Sequence, residues 1–193
     1  TALGLTTTYE YDEMGRIAKR TNPDGTELNY EYDANGNCVQ VTDGRGNAIQ
    51  SEFDANNRLT AKTDAMGGVT AQEYDKNHRV TAKTDEENNT VSYVYDQNGN
   101  ITKITDARGS ETLYYYDKAW RLVSTADAEQ GVTYYSYDGN GNLVEVTRAD
   151  SGRNLYTYDF NDRLTETTDG EGGVTGYRYD KNGNTTAITD PLG

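Results

Sequence analysis

Apolar and polar positions alternate along this chain in short runs that never exceed six residues. Val91-Ser92-Tyr93-Val94-Tyr95 is one such run, rich in residues that favour strands. Asp96-Gln97-Asn98-Gly99-Asn100 follows as a turn, because Asn-Gly supplies the positive φ that hairpins need. Ile101-Thr102-Lys103-Ile104-Thr105 is a second strand and Asp106-Ala107-Arg108-Gly109-Ser110 a second turn. No apolar stripe at 3.6-residue spacing survives punctuation this dense, so almost no helix is expected.

This unit recurs. The dipeptides Tyr11-Asp12, Tyr32-Asp33, Phe53-Asp54, Tyr74-Asp75, Tyr95-Asp96, Tyr116-Asp117, Tyr137-Asp138, Tyr158-Asp159 and Tyr179-Asp180 stand 21 residues apart without insertion or deletion. A fixed period of this length marks an array. The expected fold is all-β: tandem 21-residue β-hairpin repeats forming a continuous antiparallel, coiled sheet. Residues 1–193 read as one array with repeats beginning at 11, 32, 53, 74, 95, 116, 137, 158 and 179. Residues 1–10 and 179–193 read as incomplete repeats, and no internal boundary is expected.

A second tyrosine precedes each landmark by two residues, at Tyr9, Tyr30, Tyr93, Tyr114, Tyr135, Tyr156 and Tyr177, with Ser51 and Gln72 as the exceptions. Residues i and i+2 of a strand share a face. The tyrosines should therefore form two columns, packed substantially against the apolar residue after each turn: Ile17, Cys38, Leu59, Val80, Ile101, Leu122, Leu143 or Leu164. The columns read as core or lumen wall, or as platforms for sugar rings.

The residue ending the first turn alternates between two types. Asn37, Asn100, Asn142 and Asn184 are followed four residues on by Val41, Ile104, Val146 and Ile188. Arg16, Arg58, Arg79, Arg121 and Arg163 are followed instead by Arg20, Lys62, Lys83, Thr125 and Thr167. Two consecutive Arg repeats, at Arg58 and Arg79, break the alternation. Successive hairpins should thus meet two environments, with a structural period of two repeats.

Composition changes this picture little. The net charge of −14 and the 33% hydrophobic content would by themselves suggest disorder. The strict placement of the apolar residues overrides that and predicts a thin core stabilised by nearest-neighbour contacts. The acidity argues against nucleic acid, whose phosphates need a basic patch. No run of about 18 apolar residues exists to span a membrane as a helix, and no signal peptide opens the chain. Thr1 suggests a fragment or a processed piece. The lone Cys38 takes an aliphatic slot and reads as a small core hydrophobe.

The chain resembles the YD repeat of the Rhs family, on its Tyr-Asp unit, its Asn-Gly-Asn/Arg-Leu turn and its Thr-Asp-Ala-x-Gly turn, over essentially its whole length. That family includes bacterial polymorphic toxins, wall-associated proteins, the C component of insecticidal toxin complexes, and teneurins. The resemblance implies a secreted or cell-surface protein whose repeats wind into a hollow shell, enclosing or displaying a toxin or effector. Asp190-Pro191-Leu192-Gly193 matches the letters of the family's autoproteolytic core-end signature, but it also falls in register with Thr105-Asp106-Ala107-Arg108-Gly109 as an ordinary repeat turn.

No catalytic constellation emerges: a single histidine, His78, occupies a turn slot, and no serine or threonine has a base beside it. No enzyme activity and no cofactor are expected. Asp33, Asn35 and Asn37 present oxygens at alternate positions, as a calcium loop would. The glycine comes too early and no Glu occupies the twelfth position, so Asx-turn chemistry is the better account beside a weak cation site. Glu10, Glu31, Glu52 and Glu73 form one column, about 9–10 Å apart, read as a solvated stripe or as a patch for a basic partner. Trp120 should cover a neighbouring hairpin. Expected partners are further repeats, a second copy through the sheet edges, an enclosed toxin domain, or glycans. The alternative function is a surface adhesin or filament protein.

Overall fold

A computed structural model describes residues 6–192. Every element in it is a strand, and no helix occurs among the described residues. The chain divides into two compact units, residues 1–92 and 93–193, with the division falling inside the ninth strand.

The first unit contains β1 (Thr8–Tyr11), β2 (Ile17–Thr21), β3 (Glu27–Tyr32), β4 (Cys38–Asp43), β5 (Ala48–Phe53), β6 (Leu59–Thr63), β7 (Val69–Tyr74), β8 (Val80–Thr84) and the start of β9 (Thr90–Tyr95). The second contains β10 (Ile101–Thr105), β11 (Glu111–Tyr116), β12 (Leu122–Ala126), β13 (Val132–Tyr137), β14 (Leu143–Thr147), β15 (Arg153–Tyr158), β16 (Leu164–Thr168), β17 (Val174–Tyr179) and β18 (Thr185–Thr189). Within each unit the strands form an antiparallel meander in sequence order. The fold class is therefore the expected one, tandem hairpins in an antiparallel sheet.

Register fixes the faces. Tyr30 lies opposite Val41, and Tyr32 opposite Cys38 after a bulge that leaves Val39 unopposed. The same bulge recurs where Tyr116 meets Leu122 and Tyr137 meets Leu143. Paired tyrosines thus share one face with the aliphatic residue after the turn, as alternation requires. The opposite face carries Glu31, Gln40 and Gln50 in the first unit, joined by amide hydrogen bonds of 3.1 Å and 3.0 Å.

Each repeat also shifts the register by two residues, since Glu52 follows Gln50 on one strand. Columns therefore run obliquely. Same-slot residues in adjacent repeats lie about 12 Å apart, two strand spacings across and two residues along, rather than the 9–10 Å of an unstaggered sheet.

Burial departs from expectation. None of the described residues is fully buried. A single-layer sheet has nothing packed on either face, so the tyrosines are half-buried at best, by their neighbours in the same layer. Tyr9 and Tyr11 are 47% and 61% exposed. Trp120, expected to cover a neighbouring hairpin, is 56% exposed at a turn tip.

Candidate functional site

The recurrent chemistry is concentrated in the turns, and it begins with the landmark aspartate. The Asp33 amide donates to the Asn37 carbonyl at 3.0 Å and the Gly36 amide to the Asp33 carbonyl at 3.1 Å. That is a three-residue loop with its αL residue at Gly36, φ 89°, and Asn35 keeps a negative φ. One Asp33 carboxylate oxygen accepts from the Asn35 and Asn37 amides, both at 2.9 Å, and the other from the Asn37 side chain at 2.8 Å. The donor count explains why Asp is needed: a carboxylate is the short side chain that can satisfy three N–H groups at once.

The Asn37 side chain first, then the backbone amides, hold the Asp33 carboxyl below the ordinary range, with partial burial opposing. The Arg58 side chain does the same for Asp54. One oxygen of each of these carboxylates thus faces backbone amides of its own turn, and the other a side-chain N–H.

The second turn of each repeat has the same geometry, built on Asp43, Asp64, Asp85, Asp106, Asp127 and Asp169. Two positions lack the aspartate, Asn22 and Arg148. There Asp24 and Asp150, two residues on, take the amides of Thr26 and Gly152 at 3.0 Å and 2.8 Å. This substitution is visible in the sequence only once the carboxylate's role is known. At the chain's last turn the Leu192 amide donates to Asp190 at 2.9 Å, the first bond of that same loop. Gly193 lies outside the described residues.

Neighbouring repeats are tied by side chains that reach across strands. The Tyr32 hydroxyl donates to the Ile17 carbonyl, fifteen residues back, at 2.9 Å. Tyr74, Tyr116, Tyr137, Tyr158 and Tyr179 repeat the bond to Leu59, Ile101, Leu122, Leu143 and Leu164 at 2.7–3.0 Å. Burial, ahead of nearby charges, raises the Tyr32 and Tyr137 hydroxyls above their ordinary pKa. Phe53 has no hydroxyl, so the Cys38 carbonyl loses this partner.

The residue ending the turn makes the second tie, in two versions. Arg58 pairs with Asp54 at 2.6 Å, lies over the Tyr74 ring at 4.5 Å, and donates to the Asp75 carbonyl at 3.0 Å. Arg16, Arg121 and Arg163 reach the next repeat's tyrosine and carbonyl in the same way. Asn37 and Asn142 instead donate to Asn57 and Asp162, the αL residues of the following turns, at 2.9 Å and 2.7 Å. The backbone repeats every unit, while the linking chemistry alternates as the two-repeat pattern suggested.

The remaining two of the 17 tyrosines face the other way. Tyr115 and Tyr134 flank Ser124 in register, on the side opposite the columns, and are 50% and 56% exposed. Sequence reading by column placement left them unassigned.

These features define a class: a repeat protein whose hairpins extend a one-layer sheet by recurrent ties between neighbours. The chain belongs to the RHS Repeat family, which matches residues 1–27, 20–48, 53–90, 74–111, 95–132, 116–153, 137–174 and 158–193. Among solved structures it is similar to TcdB2-TccC3 without its hypervariable C-terminal region, at 16% identity and a TM-score of 0.74, covering 95% of this chain and 11% of that one. It is also similar to TcdB2-TccC3 itself, at 16% identity and a TM-score of 0.73, covering 95% and 12%. A Tc holotoxin pore of Photorhabdus luminescens gives 14% identity and a TM-score of 0.54, covering 96% and 13%. At these identities the likeness is one of fold, and the chain spans about an eighth or less of those lengths. No curated protein matches significantly. No described helix is long and apolar enough to cross a membrane.

Proposed function

We propose that this chain is a stretch of shell wall, a structural RHS-repeat segment of a secreted or cell-surface protein that encloses or displays a toxin or effector. The observation that carries the reading is the tie between repeats. Neighbouring hairpins share the same loop and are tied by a tyrosine hydroxyl at most repeats, Phe53 excepted, and by guanidinium or amide contacts at several, so the wall extends without a separate core. Its action is mechanical: a hydrogen-bonded sheet keeps solvent and proteases from what lies behind it. The landmark Tyr-Asp pairs are structural, and the reading assigns no enzymatic step to them. Residues 1–193 act as one array, and β1 and β18, exposed along their whole lengths, pair with further repeats or another copy.

Limited proteolysis of the parent polypeptide tests this. The segment enclosed by the repeats should resist cleavage until the repeats unfold. Cleavage under native conditions at the rate seen for the isolated segment would sink the proposal.

A second reading, a surface adhesin for glycans, is favoured by Tyr115 and Tyr134 alone. Exposed rings on a sheet face offer an apolar body with a polar tip to a sugar face. Affinity electrophoresis through neutral polysaccharides should show retardation that Tyr115→Ala with Tyr134→Ala removes. Mobility unaffected by any polysaccharide would dismiss this reading.

A further inference from the structure

The tyrosine-bearing face of the first unit has a gap, and the gap is cationic. The upstream tyrosine column fails at two adjacent repeats, where Ser51 and Gln72 stand. In register, Ser51 faces Lys62 and Gln72 faces Lys83. Lys62 in turn faces Thr70, which lies two residues before Gln72 on β7 and so shares its face. Ser51, Lys62, Thr70, Gln72 and Lys83 therefore form one unbroken polar patch. It coincides with the break in Arg/Asn alternation at Arg58 and Arg79. Three sequence irregularities thus coincide at one surface.

The charges there are free. Both lysines are exposed, and no described acid pairs with either. The arginines of these repeats are already committed to Asp54 and Asp75. Asp64, close by in sequence, spends one carboxylate oxygen on the Met66 and Gly68 amides. Two lysines whose backbone positions lie about 12 Å apart, with the Gln72 amide between them, suit a chain bearing spaced carboxylates. The patch adjoins Val41 and Ile49, paired with each other on the same face, Ile49 being 39% exposed. A ligand spanning both must carry apolar as well as acidic groups, as a polypeptide does and a polysaccharide does not.

We propose that this face of the first unit binds an acidic polypeptide segment, with Lys62 and Lys83 pairing its carboxylates and Val41 and Ile49 receiving an aliphatic side chain. The proposal goes beyond the wall reading and does not require enclosure.

Titration calorimetry of the 193-residue chain with an oligopeptide of alternating glutamate and leucine tests it. Binding is expected, weakening as salt rises. Lys62→Gln with Lys83→Gln should lower affinity about tenfold, the effect of two exposed ion pairs. Lys62→Arg with Lys83→Arg should retain binding, which separates lost charge from lost folding. The turn pair Lys76→Gln with Lys118→Gln changes net charge equally and should leave affinity unchanged. Absence of binding overturns the proposal, as does an equal loss in the turn pair. Heparin binding as tightly as the peptide, with the same sensitivity to Lys62 and Lys83, also overturns it, since that marks a patch for any polyanion.

Discussion

Among the first turns of the repeats, those ending in arginine and those ending in asparagine have the same backbone hydrogen bonds but carry different residues at the tip. Before Asn37, Asn100, Asn142 and Asn184 the αL residue is always glycine, at φ 87–96°. Before Arg58, Arg79, Arg121 and Arg163 it is Asn57, His78, Trp120 and Asp162, at φ 59–65°, and only Gly15 before Arg16 follows the asparagine pattern. A side chain in αL costs roughly 1–2 kcal/mol. In the arginine turns the guanidinium adds an ion pair, a stacking contact and a carbonyl bond. Arginine is not a requirement for a side chain in αL, since the Asp85 turn ends in Asn89 and holds Asn88 at φ 64°. The asparagine turn also needs the exception: Asn37 and Asn142 use the following Asn57 and Asp162 as acceptors. The asparagine tie thus needs an acceptor side chain at the next tip, whereas the arginine tie uses a tyrosine ring and a backbone carbonyl that the next repeat supplies, even where that repeat is itself of the arginine type, as when Arg58 reaches Tyr74 and Asp75.

The largest effect expected on both turn types is acid. The landmark carboxylates, Asp33 and Asp54 among them, are held below their ordinary pKa by folded-state donors. Their stabilisation is complete above the unfolded value of about 3.9 and is lost as pH falls through the lower folded values. Circular dichroism should show strand signal retained at pH 5 and lost progressively below about pH 4, with both turn types failing together.

Removing one carboxylate separates the types. Asp54→Ala should destabilise the local hairpin, since two amides and a partly covered guanidinium lose their acceptor. Asp33→Ala should cost less, because Asn37 carries no charge. Hydrogen exchange resolved by hairpin measures both, and equal losses would show that the arginine adds nothing.

The hydroxyl tie gives smaller changes. Tyr74→Phe should cost about 1 kcal/mol by leaving the Leu59 carbonyl unpartnered, and Phe53→Tyr should recover a similar amount by supplying Cys38 with its missing donor. Thermal melts of the two variants should move in opposite directions.

The smallest effect probes the tips themselves. Trp120→Gly should stabilise by about 1 kcal/mol through relief of αL strain, whereas Gly141→Ala should destabilise by a similar amount. Urea titration of the two variants reads the difference. A stable Gly141→Ala would mean that asparagine turns tolerate side chains as well as arginine turns do.

The sequence by itself determined the period, the hairpins, the shared face of Tyr30 and Tyr32, and the existence of two alternating environments. All of these follow from local rules: strand alternation has period two, and glycine or asparagine sets where a turn can form. It also marked Ser51 and Gln72 as exceptions without saying what they face. The partners of distant residues were decided by tertiary structure. The Tyr32 hydroxyl finds the Ile17 carbonyl, and Lys62 comes between Ser51 and Thr70, only because bulges and a two-residue stagger set the register. Register is a cooperative property of neighbouring strands, and no single repeat encodes it. That none of the described residues is fully buried was decided there too. Alternation says which residues share a face, but whether a second layer covers that face depends on what the sheet packs against.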